Sequence, residues 1–339
     1  MKCWSLALLL LVGCSSEPPS APVSAGPPGT VRFASYNIEW FSEEANPQRI
    51  VHLKSVLSAI RPNVLALQEI QSRAALNQIL DATWDVAMLD SDREDQELAL
   101  AVKAPLKIDE PHMLFPYAGD DHAFPGLRDV LRAVVVDPGG IRFSVYVVHS
   151  KSRAGGRLKT DEQRVQAMTM LANYLQDHRK ENTVVMGDFN DTPGDRSVNI
   201  LKAGGRNASG FPVTGPPLLV DLYDTLYQLN GVTQGLPEGA KKPFVSGAQA
   251  DNELLRGREY DFDRDAHVKQ SLFDQILVSP NLSPRAGKPG IYSGRDALEG
   301  TAGQTERLRD GRTVYREKGS RASDHLPVYV DFKVGDSSK

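Results

Sequence analysis

The chain has 339 residues, of which 40% are hydrophobic and 24% charged, and its formal net charge is −4. This composition is ordinary for a globular protein, and the slightly acidic balance excludes a global basic field that would gather nucleic acid. The two cysteines are Cys3 and Cys14, so the chain beyond residue 14 has no disulfide, no cysteine nucleophile and no cysteine-bound zinc site.

The first 13 residues have the pattern of a bacterial signal peptide. Lys2 supplies a positive charge, and the apolar run from Trp4 to Val12 is too short to span a bilayer. The segment Leu11-Val12-Gly13-Cys14 resembles a lipobox, so we expect removal of residues 1–13 and lipidation of Cys14. This predicts a lipid anchor in the cell envelope, most readily in the outer membrane. The alternative is an ordinary secretory signal, with Cys14 incidental and the protein secreted.

Residues 14–30 are rich in Pro, Ser, Ala and Gly, which predicts an extended tether. We place a single folded domain at residues 31–335 and expect it to be a monomer. One domain is more economical than two, because the polar clusters described below are spread along its whole length.

Strand and helix patterns alternate irregularly along this domain. Asn46-Pro47 is typical of a helix N-terminus, and apolar residues at helical spacing continue to Arg61-Pro62. A second amphipathic helix is predicted over 161–178. Strands are predicted over 31–36, 64–67, 98–102, 130–136, 141–148, 183–186, 271–278 and 326–334, and loops over 204–217 and 228–258. The excess of strands, with hairpins and crossovers mixed, predicts a four-layered α/β sandwich with two central mixed β-sheets flanked by helices.

Polar clusters follow several of the predicted strands directly. Glu69, His149 and Asp188 each come just after a strand, and residues beyond the carboxyl ends of strands gather in a shared crevice. Oxygen ligands from Asp, Glu and Asn suit Mg²⁺ or Mn²⁺, and the adjacent Asp324 and His325 add an acid and an imidazole. The combination predicts a metal-dependent enzyme that cleaves phosphate esters.

Each cluster alone also has a simpler explanation. The segment Gly187-Asp188-Phe189-Asn190-Asp191 could form an Asx-rich turn, Asn37 could end a strand, and Asp324 could cap a turn. An isolated His149 is more often a satisfied, partly buried histidine. The functional interpretation depends on the clusters occurring together.

In this order, the clusters resemble the endonuclease/exonuclease/phosphatase superfamily, which includes pancreatic-type deoxyribonuclease, apurinic endonucleases, sphingomyelinases and inositol-polyphosphate phosphatases. The resemblance covers residues 31–334. It rests on the segments Ser35-Tyr36-Asn37, Leu67-Gln68-Glu69, Val148-His149, Gly187-Asp188-Phe189-Asn190, Phe273-Asp274-Gln275-Ile276 and Ser323-Asp324-His325. It implies Glu69 as the principal metal ligand, with Asn37 and Asp324 close to the ion.

The same resemblance implies that Asp188 and Asn190 orient the attacking water and contact the phosphate. His325 would be the main catalytic imidazole, oriented by Asp274. His149 would be a second imidazole on the phosphate.

The resemblance implies roles for two further residues. Glu97 occupies the place of a partner for His149. Arg128, in Gly126-Leu127-Arg128-Asp129-Val130, matches a phosphate contact more loosely, and Arg132 is the competing candidate. One departure is that the segment around Asp95-Gln96-Glu97 has no tyrosine where deoxyribonuclease-like members offer one to nucleic acid.

A basic segment follows His149 and contains Lys151, Arg153, Arg157, Lys159 and Arg164. If the loop at Gly155-Gly156 overhangs the site, Lys151 and Arg153 would bind a phosphate backbone or a polyphosphate head group. The alternative is a solvated lead-in to the next helix.

These features favour a metal-dependent phosphodiesterase, a cell-envelope nuclease with nucleic acid as its substrate. The alternative is a phosphatase or a phospholipase C-type esterase acting on inositol phosphates or sphingomyelin-like head groups. A non-catalytic binding lipoprotein is the third hypothesis, and it predicts losses among the metal and imidazole positions.

Overall fold

A computed structural model describes residues 21–89, 96–117, 122–124, 129–153, 157–229, 231–234, 271–307, 313–317 and 319–334. In this part of the chain two six-stranded mixed sheets stack face to face, and helices cover their outer surfaces. The predicted four-layered α/β sandwich is confirmed.

The first sheet carries the amino-terminal half of the site. Its strands are β1 (Thr30–Phe41), β2 (Val64–Ile70), β3 (Trp84–Met88), β4 (Glu97–Lys103), β11 (Gly290–Ile291) and β14 (Val328–Lys333). Their order across the sheet is β11-β14-β1-β2-β4-β3. The central strand β1 runs parallel to β2 and antiparallel to β14, so the end of β1 lies between segments that are distant in sequence.

The second sheet carries the rest of the site. Its strands are β5 (Lys107–Leu114), β6 (Val130–Val136), β7 (Arg142–His149), β8 (Thr183–Asp188), β9 (Val220–Asp221) and β10 (Asp274–Val278). Their order is β5-β6-β7-β8-β10-β9, and β7 and β8 are parallel. A separate two-stranded ribbon consists of β12 (Gln304–Arg307) and β13 (Thr313–Glu317).

The described helices lie on the two outer faces of the sandwich or in its connections. They are α1 (Pro47–Ile60), α2 (Arg73–Leu76), α3 (Arg157–Gln176), α4 (Arg196–Ala203), α5 (Asp224–Gln228) and α6 (Arg295–Leu298), with a 3₁₀ turn at Ser283–Arg285. Among these described helices, none has the length and apolar character needed to cross a bilayer.

The central core lies between the two sheets. Phe33 of β1 packs against Phe143 of β7, with ring centroids 5.3 Å apart, and against Phe332 of β14 at 5.1 Å. Two outer cores join the helices to the sheets: Leu53 of α1 belongs to the first, and Leu171 of α3 to the second. Because both sheets are buried on two faces, most of their strands are continuous apolar runs.

The sequence predicted the inner strands and the first helix correctly, but it did not predict the polar edge strand. The helix at Asn46-Pro47 is confirmed, since the Asn46 side chain accepts a hydrogen bond from the Gln48 backbone. The strands predicted over 130–136 and 141–148 pair as the hairpin β6–β7. The strand β5 was not predicted, because it is an exposed edge strand with polar residues and Pro111. The expected tether docks at its described end, where the Val23 amide donates to the Ala59 carbonyl.

Candidate active site

Strand register places three functional side chains in a row on the second sheet. His149 at the end of β7 lies opposite Asp188 at the end of β8, and Asp188 lies opposite Asp274 at the start of β10. Cross-strand partners project to the same face of a sheet, so these three side chains point the same way. Residues far apart in sequence therefore meet through backbone pairing alone.

Asn37 and Glu69 complete this cluster from the first sheet. The Asn37 side-chain amide donates to Glu69 Oε1 and to Asp188 Oδ2, each at 3.0 Å. His149 Nε2 lies 3.5 Å from Glu69 Oε1 and 3.7 Å from Asp188 Oδ2. The site thus forms where corresponding edges of the two stacked sheets meet.

Glu69, His149 and Asp188 have the arrangement of a metal-binding group, because their ligand atoms all lie within 4.8 Å of one another. Burial raises the pKa of Asp188 to about 7; the charge of His325 opposes this shift and that of Asp274 adds to it. A buried carboxylate this difficult to ionise is suited to a cation, which would stabilise its charged form. The oxygen-rich donor set therefore fits a divalent ion.

The backbone at this edge is held in an uncommon conformation. Glu39, Trp40, Glu69 and Asn190 all have positive φ, at 44°, 49°, 63° and 50°. Each such residue costs on the order of 1–3 kcal/mol and persists only where its surroundings fix it. Here the Trp40 amide donates to Glu69 Oε2 at 3.1 Å, so the turn at residues 39–40, where the register of β1 shifts near its end, holds a carboxylate of the cluster.

His325 and Asp274 form a hydrogen-bonded pair beside the cluster. His325 Nδ1 lies 2.8 Å from Asp274 Oδ2, and His325 Nε2 lies 3.8 Å from Asp188 Oδ2 and 3.9 Å from Asp324 Oδ1. Burial by itself would lower the pKa of His325, but the charges of Asp274, Asp324 and Asp188 raise it well above its ordinary value. Its Nε2 faces the metal-binding group.

The turn that contains Asn190 is fixed by its neighbours. The Asn190 amide N–H donates to Asp188 Oδ1 at 2.8 Å, and its side chain donates to the Ser150 carbonyl at 3.0 Å. Gly187 has φ +150°, and a Cβ at this position would lie 1.9 Å from the Val148 carbonyl oxygen. Only glycine allows β7 and β8 to approach this closely just before the site.

The position of Arg153 corrects one expectation. This arginine is buried, and its guanidinium binds Asp191 at 2.9 Å, Asp195 at 2.6 Å and the Asn190 carbonyl at 2.8 Å. Its Cζ also lies 4.6 Å from the ring centre of Phe273. Arg153 therefore supports the Asn190 turn from below and does not present its charge to a substrate phosphate.

Two other arginines of the basic segment are neutralised in the same way. Arg157 and Arg164 are buried in ion pairs with Asp161, Asp191 and Asp195. These carboxylates offset much of the positive charge that the sequence suggested. Lys151 remains half-buried beside the site, with Nζ 3.2 Å from Ser152 Oγ, and its binding of phosphate stays a prediction.

The remaining predicted residues lie next to the cluster, away from it, or outside the described residues. Glu97 is buried at the start of β4, opposite Ile70 and so one position beyond Glu69. Arg132 makes ion pairs with Glu110 and Glu181, both outside the site. Arg128, Cys14 and the side chain of Lys159 lie outside the described residues.

Sequence reasoning assigned no role to three residues that shape the site. Burial raises the pKa of Glu39 to about 8, with a further increase from Asp324. Thr233 Oγ1 accepts the Asp274 amide at 3.1 Å. Arg49, on α1, donates hydrogen bonds to the carbonyls of Ile38 and Ala322, which are close in sequence to Asn37 and His325. The proximity of Glu39 to Asn37 was a usable signal; Thr233 and Arg49 gave none, because they lie far from every motif.

The site thus combines a Glu–His–Asp group with an adjacent His–Asp pair at one edge of a two-sheet sandwich. Residues 34–325 match the Endonuclease/Exonuclease/phosphatase family, and the chain belongs to this family. It is accordingly a hydrolase acting on phosphoric ester bonds. No curated protein sequence matches the chain at a significant level.

Solved structures with the same fold come from animals and bacteria. D. rerio TDP2 complexed with single strand DNA product is 17% identical, covers 89% of this chain and 98% of its own, and has a TM-score of 0.53. The Bacteroides thetaiotaomicron mannosyl-6-phosphatase Bt3783 is 15% identical, with coverage of 88% and 98% and a TM-score of 0.54. An endonuclease/exonuclease/phosphatase family protein from the same bacterium is 15% identical, with coverage of 89% and 97% and a TM-score of 0.55.

Proposed function

We propose that the chain is a metal-dependent phosphodiesterase, and specifically a nuclease of the cell envelope. The observation that carries this proposal is the convergence of two imidazoles on one buried carboxylate. His149 Nε2 and His325 Nε2 lie 3.7 and 3.8 Å from the same oxygen of Asp188. This arrangement places the imidazole of His325 next to the metal-binding group.

We assign Mg²⁺ or Mn²⁺ to Glu69, the predicted principal ligand, with Asn37 and Asp324 close to the ion. His149 and Asp188, which the sequence assigned to the phosphate and the water, lie close enough to Glu69 to join this ligand set. When bound, the ion would neutralise charge on the phosphate and ease departure of the leaving oxygen. Mg²⁺ and Mn²⁺ suit the carboxylate oxygens that make up most of this donor set.

The protein groups around the metal-binding group have separate tasks. Asp274 accepts the Nδ1 proton of His325, which keeps the imidazole oriented and leaves Nε2 to exchange a proton with the reacting oxygens. Asn190, held by the Ser150 carbonyl and Asp188, positions the attacking water. Together these groups suit attack of water on a phosphorus centre.

Two of the similar structures support different candidate substrates for this chain. The DNA product in the D. rerio TDP2 structure supports nucleic acid as the substrate of this chain. The mannosyl-6-phosphatase supports the second candidate, a phosphatase acting on a phosphate monoester. Because Arg153, Arg157 and Arg164 are neutralised by carboxylates, they do not favour a long polyanion as the substrate. Substrate choice then depends on other groups, among which Lys151 and Asp324 are half-buried.

The membrane anchor remains part of the proposal and rests on the amino-terminal sequence. Residues 1–13 would be removed, Cys14 lipidated and the enzyme, a monomer, held on the outer membrane. Expression of the full chain and of Cys14→Ser, followed by membrane fractionation, tests this. A full chain that is released without detergent would favour the secreted form.

The central experiment compares substrates and metal requirement in one assay. Protein lacking residues 1–20 is incubated with plasmid, single-stranded DNA, RNA, sphingomyelin, a sugar phosphate and bis-p-nitrophenyl phosphate, in Mg²⁺, Mn²⁺ or EDTA. We expect nucleic acid to be cut only with a metal present. Cleavage that resists EDTA contradicts the metal dependence, whereas turnover of the sugar phosphate alone favours the phosphatase.

A further inference from the structure

Arg49 is a buried arginine that binds two separate segments of the chain. It lies in the first turn of α1 and is 3% exposed. Its Nε donates to the Ala322 carbonyl at 3.1 Å, and its Nη2 donates to the Ile38 carbonyl at 2.5 Å and to the Glu39 carbonyl. One guanidinium thus holds three backbone oxygens from two ends of the sequence.

Both of these segments lead directly into the site. Ile38 and Glu39 follow Asn37, and Ala322 precedes the segment Ser323-Asp324-His325. A second bond joins the same two segments, since Ser323 Oγ donates to the Asn37 carbonyl at 2.7 Å. Arg49 therefore lies at the junction of the metal-binding half and the imidazole half of the site.

Arg49 also explains how the strained turn at residues 39–40 of β1 is retained. Positive φ at Glu39 and Trp40 accompanies the approach of two successive carbonyls to one cation. The same turn presents the Trp40 amide to Glu69 Oε2. The fork of an arginine can serve several carbonyls at once, whereas a lysine ammonium on a flexible stem does not fix their directions.

We propose that Arg49 is a positioning residue for the active site. It holds the turn that aims the Trp40 amide at Glu69, and it fixes this turn relative to the segment that carries His325. This inference deepens the proposed function, because the side chain it positions is a ligand of the proposed metal. Arg49 acts through Glu69 and His325 and does not itself touch substrate.

The test compares Arg49→Lys with Arg32→Lys. Arg32 is a matched control: it is also buried, binds Asp331 at 2.8 Å and donates to the Ile60 carbonyl at 2.8 Å, but it lies near the start of β1, away from the site. Both variants should lose thermal stability. Only Arg49→Lys should weaken Mn²⁺ binding by calorimetry, by about tenfold or more, as expected when a group that orients a ligand is lost.

Hydrogen exchange provides a readout that needs neither metal nor activity. In Arg49→Lys, exchange in peptides covering 38–41 and 322–326 should accelerate together, whereas in Arg32→Lys both peptides should exchange as in the wild type. Arg49→Gln, which keeps N–H donors without the charge, is the second variant if Arg49→Lys does not fold.

The outcomes separate the two proposals. If Mn²⁺ does not bind the wild type, the proposed metal dependence fails, and the exchange data alone decide the role of Arg49. If Arg49→Lys binds Mn²⁺ within twofold of wild type and exchanges normally in both peptides, the positioning role is overturned.

Discussion

His325 Nδ1 and Asp274 Oδ2 lie 2.8 Å apart, although 51 residues separate the two side chains in the chain. Asp274 is fully buried at the start of β10, and His325 precedes β14 in the other sheet. The pair therefore joins the two sheets at the site and leaves only Nε2 of the imidazole to face Asp188. This geometry underlies the first prediction.

Replacing His325 with Ala should lower the kcat for bis-p-nitrophenyl phosphate by about 10²–10⁴-fold, because the proton-transferring group is lost. Asp274→Asn should also lower kcat, since an amide cannot accept and stabilise the imidazolium charge in the same way. His178→Ala is the control, because His178 stacks on Tyr174 near the end of α3. Full activity of His325→Ala would contradict the mechanism.

Gly187→Ala should destabilise the fold severely, by more than about 4 kcal/mol, because the added methyl would overlap the Val148 carbonyl. Gly140→Ala separates this collision from backbone strain: Gly140 has φ +84°, and a Cβ there would meet nothing within 4 Å. The control should lose only about 1–2 kcal/mol. Denaturant unfolding of the two variants measures the difference, and equal losses would refute the close approach.

Arg153→Met should reduce stability by about 3–5 kcal/mol, because it removes a partner from Asp191 and Asp195, which are buried. Burial alone would raise the pKa of Asp195, but the charges of Arg153 and Arg157 hold it well below its usual range. Lys151→Ala, by contrast, should raise KM for a polyanionic substrate with little loss of stability. A large KM effect from Arg153→Met without destabilisation would restore the phosphate-binding role.

Asp221→Asn should stabilise the protein at pH 8 but not at pH 3. Burial, followed by the charge of Asp224, raises the pKa of Asp221 to about 7, from about 4 in the unfolded chain. The folded state therefore holds a proton that the unfolded state releases, and wild-type stability falls as pH rises from about 4 to 7. Thermal unfolding across this range should show the gain of Asp221→Asn growing with pH. If the gain in stability did not depend on pH, the raised pKa of Asp221 would be excluded as its cause.

Arg321→Met should leave the melting temperature unchanged or raise it. Arg321 is 3% exposed, and its Nε and Nη2 have no hydrogen-bond partner among the residues that the structure describes. A buried cation without such partners is unfavourable, and an apolar side chain of similar length removes this penalty. Thermal unfolding checks the variant, and a marked fall in melting temperature would show that the guanidinium is stabilised.

The central strands were predictable because local patterning and burial agree there. Apolar runs such as 64–67 and 183–186 are typical of a buried strand, and a carboxylate of the site, Glu69 or Asp188, comes two residues after each run. Edge elements were harder to predict. The strand β3 is half-exposed and β5 is polar, so neither presents the continuous apolar run that identifies an inner strand.

The motifs by themselves determined which side chains are candidates for the site, since Asn37, Glu69, His149, Asp188, Asn190, Asp274 and His325 were all named from the sequence. Only the tertiary structure decided what surrounds them. Sheet register sets His149 and Asp274 on either side of Asp188, and packing of α1 brings Arg49 against the turn at residues 39–40 of β1. The tertiary structure also turned the basic segment inward, because the carboxylates that neutralise Arg153 come from the next strand–helix connection and not from its own neighbourhood in the sequence.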